Sequence, residues 1–311
     1  MTTLASAVDG YLELRRGLGF KMDEQARSLP NFVAFLRERG AHQITTRLAL
    51  SWAVLPTRTT RGYQACRLAI VRGFARYCHG LDPRNEVPPT GLLSRCSTRR
   101  PPYIYTEDDV RRLTRVARAL PSGTGLRGLT YATLLSLLAV TGMRIGEAVG
   151  LDLADVDLAR ALLTVRGAKF GKSRFIPLHS SSVLALRAYL ETRSRARHRS
   201  CPAFLVSESG ARLSVKTIHW TFKGLLCSAG VRAPRDQRRP RLHDFRHRMA
   251  VNTLIAWYRN GEDVDAHIPE LSTYLGHVKV ADTYWYLSAV PELLGLAADR
   301  AEARQARERR P

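Results

Sequence analysis

"LTYATLLSLLAVTGMRIGEAVGL", Leu129–Leu151, is the stretch on which the fold turns. An apolar run of helical length meets Gly142, a helix stop, and Arg144 opens a second helix directly behind it. The joint sets a cation at a helix boundary, beside an element too apolar for the surface. Taken alone, an arginine after a glycine is usually a solvated helix start. Whether Arg144 does more depends on the rest of the chain.

Upstream, "YIYTEDDVRRL" reads as a helix start, with Thr106 as N-cap, Asp109 three residues later and acids in the first turn. Before it, Asp82 to Pro102 is rich in proline and arginine and shows no sustained periodicity, as expected of a linker. Its Arg95, Arg99 and Arg100 suit either a nucleic-acid backbone or plain solvent. The first ninety-odd residues read as helices. Leu29, Phe32, Val33 and Leu36 recur at three- and four-residue steps before Gly40, and Tyr63, Cys66, Ile70, Phe74 and Tyr77 are expected on one buried stripe ending near Gly80. With "YLELRRGLGF" and "TRLALSWAVL" they make a four-helix domain.

Downstream, "LLTVRGAKFGKSRFIPL" alternates and turns like a β-hairpin, "SSSVLALRAYLETR" returns to helix, and "FLVSESGARLS" is a short strand and turn. From "SVKTIHWTFKGLLCSAG" onward the chain is helical again. The expected fold is mainly α with a small antiparallel β-sheet. Its expected parts are a helical domain over 1–81, a linker over 82–102, an α+β domain over 103–290 and a C-terminal helix with a basic tail over 291–311.

Composition narrows the partner. Among 311 residues, 49 Lys and Arg face 27 acids, a net charge of +22, and arginine dominates. Such a field favours a polyanion, and the guanidinium fork favours phosphate in particular. A membrane surface fits less well, because no apolar run approaches the roughly 18 residues that span a bilayer. "MTTLASAVDGYLELRR" lacks the pattern of a signal peptide. The five cysteines form no C-x-x-C pair and read as reduced thiols, so a cytoplasmic protein without a structural zinc is expected.

Two further stretches place cationic or proton-transferring groups at helix boundaries. In "RLHDFRHRMA", His243 and Arg246 share one helix face at i, i+3, while Leu242, Phe245 and Met249 mark the buried side. In "LGHVKVADTYWYL", His277 follows Gly276, and Tyr284 and Tyr286 flank one tryptophan. On a helix these tyrosines point to nearly opposite sides, since each residue turns it by roughly 100°.

Singly these signals are weak, but their order is specific. "TGMRIGEAVGL", a lysine-bearing hairpin "RGAKFGKSRFIPL", "LHDFRH", "YLGH" and a tyrosine nine residues past that histidine follow one another between Thr106 and Leu287. In this the chain resembles the tyrosine recombinase (phage-type integrase) family, and the N-terminal helices resemble that family's core-binding domain. The resemblance implies Arg144 and Arg246 as catalytic arginines, His243 and His277 as the partner imidazoles, and Tyr286, not Tyr284, as nucleophile. The hairpin's catalytic lysine maps to Lys169, although Ala168 is inserted after the glycine. Lys172 and Arg174 then look like DNA-backbone contacts, with Arg99, Arg100 and Arg241 as further candidates.

The chemistry implied is transfer of a DNA phosphodiester to tyrosine. Extra negative charge on the non-bridging oxygens needs preorganised donors, here arginines and histidine rather than divalent cations. Asp152, Asp155 and Asp157 read as a polar turn, not a magnesium site. His243 is the natural acceptor of the tyrosine proton, and Lys169 delivers a proton to the leaving 5′-hydroxyl. The resemblance implies a 3′-phosphotyrosyl intermediate, neither metal nor ATP as cofactor, and double-stranded DNA bound by a homo- or hetero-tetramer whose C-terminal segment docks on a neighbour. A helix packed on its own domain is the alternative for that segment. Two other readings stay open: a type IB topoisomerase, which reseals the original strand, and a catalytically silent DNA-binding factor.

Overall fold

The computed structural model describes residues 3–93, 101–166, 173–195, 201–232 and 239–308. The chain forms two compact units, Met1–Arg99 and Arg100–Pro311.

In the first unit, α1 (Leu4–Gly17), α3 (Thr46–Val54) and α4 (Arg61–Leu81) each start behind a threonine, Thr3, Thr45 and Thr60, whose side chain accepts a backbone N–H of the first turn. α2 (Asp23–Arg37) has no such cap and opens instead on two acids, Asp23 and Glu24. Leu29, Phe32, Leu36, Phe74 and Trp52 form the core, with the Phe32 and Trp52 rings edge to face at 5.3 Å. The stripe expected on α4 is corrected. Its buried residues are Ala65, Leu68, Val71, Phe74, Ala75 and Cys78, while Tyr63 and Cys66 are exposed. The reason is the close crossing of α1 and α4. The Tyr77 hydroxyl lies over Gly10 and the Tyr11 hydroxyl over Gly73, each 2.9 Å from where a Cβ would sit.

The start of the expected linker is also tied down. Asn85 is buried and its Oδ1 accepts from the Ile44 amide at 3.0 Å, the Glu86 amide donates to Ile44 O at 2.7 Å, and Arg72 donates to the carbonyls of Pro88 and Pro89. Arg95, Arg99 and Arg100 lie outside the described residues.

The second unit is built around α6 (Leu126–Thr141), buried on nearly all sides. α5 (Glu107–Arg118) starts with a reciprocal Thr106–Asp109 capping box and crosses α6 at Gly128, whose missing Cβ would strike the Arg118 carbonyl. After the short α7 (Ile145–Gly150) and a single 3-10 turn, Leu153–Asp155, come β1 (Val156–Asp157), β2 (Leu162–Val165) and β3 (Arg174–Pro177). They form one antiparallel sheet in the order β1-β2-β3, with Leu163 opposite both Val156 and Ile176. α8 (Ser180–Arg195) and α9 (Val215–Ser228) complete the main core. Among its described residues, the segment between them contributes two isolated bridges, Asp152 to Ala203 and Val206 to Arg212.

α10 (Asp244–Arg259), α11 (Val264–Leu275), α12 (Ala281–Ala289) and α13 (Pro291–Glu308) surround a smaller core of Ala250, Val251, Leu254, Ile268, Leu271, Leu275, Tyr286 and Leu293. α13 packs on its own domain: Leu293 is fully buried and Glu292 pairs with Arg259 at 2.8 Å. Among the described residues, no helix is long and apolar enough to cross a membrane. The expected fold class, mainly α with a small antiparallel sheet, is the one observed.

Candidate active site

Three elements converge on the turn after α11. Gly142 takes a left-handed backbone (φ +60°) that ends α6, and Arg144, two residues on, is the N-cap of α7. Gly276 takes the same conformation (φ +66°) and ends α11, and the amide of His277 closes the turn onto Ser272 O at 2.9 Å. Arg246, in the first turn of α10, lies beneath both, only 2% exposed.

Three arginines cap three successive carbonyls at the end of α11. Arg174 Nε donates to Tyr274 O at 2.8 Å, Arg246 Nη2 to Leu275 O at 2.5 Å and Arg144 Nη2 to Gly276 O at 3.0 Å. A helix C-terminus carries partial negative charge, so guanidinium groups are favourable there. Arg246 Nη1 also donates to Gly142 O at 3.0 Å, which joins the two glycine turns. Burial, with Arg144 nearby, lowers the Arg246 pKa to about 10, so it stays a cation at neutral pH.

Tyr286 points into this pocket and is 2% exposed, whereas Tyr284, two residues earlier on α12, is 44% exposed. The helix sends the two to different sides, as its period requires. The Arg246 guanidinium lies close to the Tyr286 phenol. Burial raises the Tyr286 pKa, and Arg246 and Arg144 pull against the rise, so the resting group is a neutral phenol.

The His277 ring lies roughly parallel to that of Tyr286, with centroids 6.2 Å apart. Its Nδ1 is hydrogen-bonded to the buried Thr283 hydroxyl at 2.8 Å. Burial first, then Arg246 and Arg144, lowers the His277 pKa to about 4. His243 is lowered by burial, then by Arg246 and Arg241. Both imidazoles are therefore neutral at pH 7.

Several participants were not singled out from the sequence. Glu147 accepts from the Arg144 amide at 2.8 Å and from Arg144 Nη1 at 2.9 Å, and from Arg174 at 2.8 and 3.1 Å. Burial alone would raise its pKa; hydrogen bonds from Arg174 and from the Arg144 backbone override this and hold it down at about 2. Its position three residues after a helix start is a capping-box signal that the sequence carries. The His247 ring packs against those of both His243 and Tyr286, with centroids 4.8 and 5.5 Å away. One helical turn from His243, it was legible as a same-face neighbour. Thr283 carries no such signal.

Arg174, expected on a DNA backbone, is turned inward onto Glu147 and α11. Arg241 pairs with the fully buried Asp244 at 2.8 Å and keeps 43% of its side chain exposed. Lys169 and Lys172 lie outside the described residues, although both stems of their hairpin, β2 and β3, are described. The aspartates before the hairpin are engaged within the protein. Asp155 pairs with Arg166, Asp152 with Arg212, and Asp157 accepts the amides of Ala159 and Arg160.

Comparison with known proteins places the chain in a family. Residues 104–292 match the description "Phage integrase family". A Sinorhizobium fredii chain named as an integrase/recombinase (y4rB) is 47% identical over 309 residues, covering 98% of both chains. Tyrosine recombinase XerD of Mycobacterium tuberculosis is 31% identical, covering 92% of this chain and 94% of its own. Among solved structures, the Tn1549 transposon integrase in complex with a circular intermediate DNA superposes with a TM-score of 0.65 at 14% identity. That match covers 97% of this chain and 100% of the other, and shares its fold.

Proposed function

The chain belongs to the phage integrase family, and from that premise we propose that it is a site-specific recombinase that cleaves and rejoins double-stranded DNA through a 3′-phosphotyrosyl link at Tyr286. The observation that carries this reading is the enclosure of Tyr286, 2% exposed, with its ring stacked 6.2 Å from that of His277 and with Arg246 and Arg144 close enough to oppose the effect of burial on its phenol.

A phosphate seated beside Tyr286 meets Arg144 and Arg246. Each guanidinium offers five N–H donors, and carbonyl capping uses only some of them. Because the arginines are already held by the α11 turn, they need no reorganisation when charge builds on the non-bridging oxygens. His277 has Nδ1 committed to Thr283, so its other nitrogen serves the phosphate.

In cleavage the Tyr286 oxygen attacks phosphorus, its proton passes to neutral His243, and the bond to the 5′-oxygen breaks. Lys169 supplies that oxygen's proton. Attack by another strand's 5′-hydroxyl reverses the sequence and releases Tyr286. The phosphodiester bond energy is kept in the protein link, so no ATP is consumed, and guanidinium groups do what divalent cations do in metal-dependent nucleases. Exchange between two duplexes calls for a homo- or hetero-tetramer on DNA.

The test is covalent trapping. Wild type, Tyr286→Phe and Tyr284→Phe are incubated with nicked suicide duplexes tiling the DNA that flanks the coding sequence, and denaturing gels are scored for protein on a 3′ end. The expected adduct disappears only in Tyr286→Phe. Specific binding without adduct would favour a DNA-binding factor. Supercoil relaxation without strand exchange would favour a topoisomerase.

A further inference from the structure

Arg174 opens β3, and only 11% of its side chain is exposed. Its planar fork is spent on protein atoms. Nη1 and Nη2 hold the two oxygens of Glu147, and Nε holds the Tyr274 carbonyl. The guanidinium also packs against Gly276, where a Cβ would come to 3.0 Å from Nη1 and 3.3 Å from Cζ. Glu147 at the same time binds Arg144. One carboxylate, 10% exposed, thus serves two guanidinium groups, of which Arg144 is the more open at 33%.

We propose that Arg174 is a positioning residue that occupies and neutralises Glu147, so that the positive charge of Arg144 stays available to a DNA phosphate. The proposal rests on the recombinase reading. Without Arg174, a largely buried carboxylate at hydrogen-bonding distance would cancel Arg144 and draw its guanidinium out of line. In a partly desolvated site that cancellation is far stronger than in water. With Arg174 present, two cations share one anion and the set keeps a net positive charge facing the pocket. Only arginine meets the geometry, because both Glu147 oxygens and a carbonyl must be reached from one plane. The same contacts fasten the root of the hairpin to the turn that carries His277.

The test measures single-turnover 3′-adduct formation on the same duplexes, together with their equilibrium binding, for wild type, Arg174→Met, Arg174→Lys, Glu147→Gln and the double variant Arg174→Met/Glu147→Gln. Arg174→Met is expected to slow the adduct by about 10- to 100-fold, less than outright loss of an oxyanion donor. Duplex affinity should stay within about twofold of wild type. The double variant should run at least about fivefold faster than Arg174→Met, because removing the carboxylate returns the charge of Arg144. Thermal melting separates this from folding, since the double variant makes no more contacts than the single one. If Arg174→Met does not fold, Arg174→Gln with and without Glu147→Gln makes the same comparison, since glutamine also removes the positive charge. A double variant as slow as Arg174→Met would overturn the proposal in favour of a packing role. A loss of affinity and salt slope with an unchanged rate at saturation would overturn it in favour of a backbone contact. Absence of adduct from wild type is a separate outcome that defeats the recombinase reading beneath it.

Discussion

Gly276→Ala is the most informative single perturbation of the site. Gly276 sits at φ +66°, where an L-residue pays about 1–2 kcal/mol. Its new Cβ would also meet Arg174 Nη1 at 3.0 Å and Cζ at 3.3 Å, so the guanidinium has to move by a few tenths of an ångström. That guanidinium is pinned by bonds of 2.8 Å to Tyr274 O and of 2.8 and 3.1 Å to Glu147. Weakening one hydrogen bond to a charged group forfeits part of about 1.5–3 kcal/mol. The expected loss is therefore about 2–3 kcal/mol, or a fall of about 5–10 °C in the melting of the unit that carries the site. Urea unfolding measures the first quantity and calorimetry the second. Gly224→Ala is the internal control. Gly224 lies within α9 with nothing within 4 Å of its Cβ position, so alanine should stabilise by about 0.5–1 kcal/mol. The adduct rate of Gly276→Ala should fall at least tenfold, roughly the cost of disturbing one preorganised donor. A Gly276→Ala protein within about 0.5 kcal/mol of wild type and equally active would refute the reasoning about this turn.

Thr283→Val removes the 2.8 Å bond to His277 at nearly constant volume. It should cost about 1 kcal/mol in urea and slow the adduct about tenfold; an unchanged rate would show that other contacts orient the ring. Folded His277 titrates near 4 and its unfolded counterpart near 6.5, so between those values the unfolded chain binds more protons. Stability should be flat in this respect above about pH 6.5 and fall as pH drops toward 4, with His243 adding to it in the same direction. Urea midpoints at two pH values should show a smaller drop for His277→Gln than for wild type; equal drops would locate the effect elsewhere. Leu293→Ala empties a fully buried site in the core behind Tyr286 and should cost about 2–4 kcal/mol. A loss under about 1 kcal/mol in urea would mean that α13 does not seal that core.

The residues legible in the sequence were those whose role depends on a local pattern. Gly142 with Arg144, His243 with Arg246, Gly276 with His277, and the divergence of Tyr284 from Tyr286 follow from helix stops and a period of 3.6 residues, whereas the choice of Tyr286 was implied by the family resemblance. What stayed hidden depends on partners remote in sequence. Arg174 looks like an exposed cation at a strand end, yet its burial is decided by Glu147 and by the Tyr274 carbonyl, far upstream and downstream. Hydropathy reads Asp82 to Leu93 as solvent-bound because it does not register that the carbonyls of Pro88 and Pro89 are acceptors for Arg72. On α4 the aromatic stripe was a poor guide because the crossing with α1, where the Tyr77 and Tyr11 hydroxyls lie over Gly10 and Gly73, turns Ala65, Leu68, Val71 and Ala75 inward beside Phe74.

The division of the second unit into two cores has a consequence for how it opens. Arg144 is anchored beside the large core around α6, whereas Tyr286 and Leu293 belong to the small one, and α10 spans both, with Phe245 in the first and Leu254 in the second. A small core of few side chains forms a cooperative unit that unfolds at a lower free energy than the whole. Amide hydrogens of α12 and α13 should then exchange ahead of those of α6. An excursion confined to α12 and α13 would withdraw the phenol while the α11 turn still holds the guanidinium groups, so that the acceptor of the phosphoryl group comes and goes on a standing anion-binding frame.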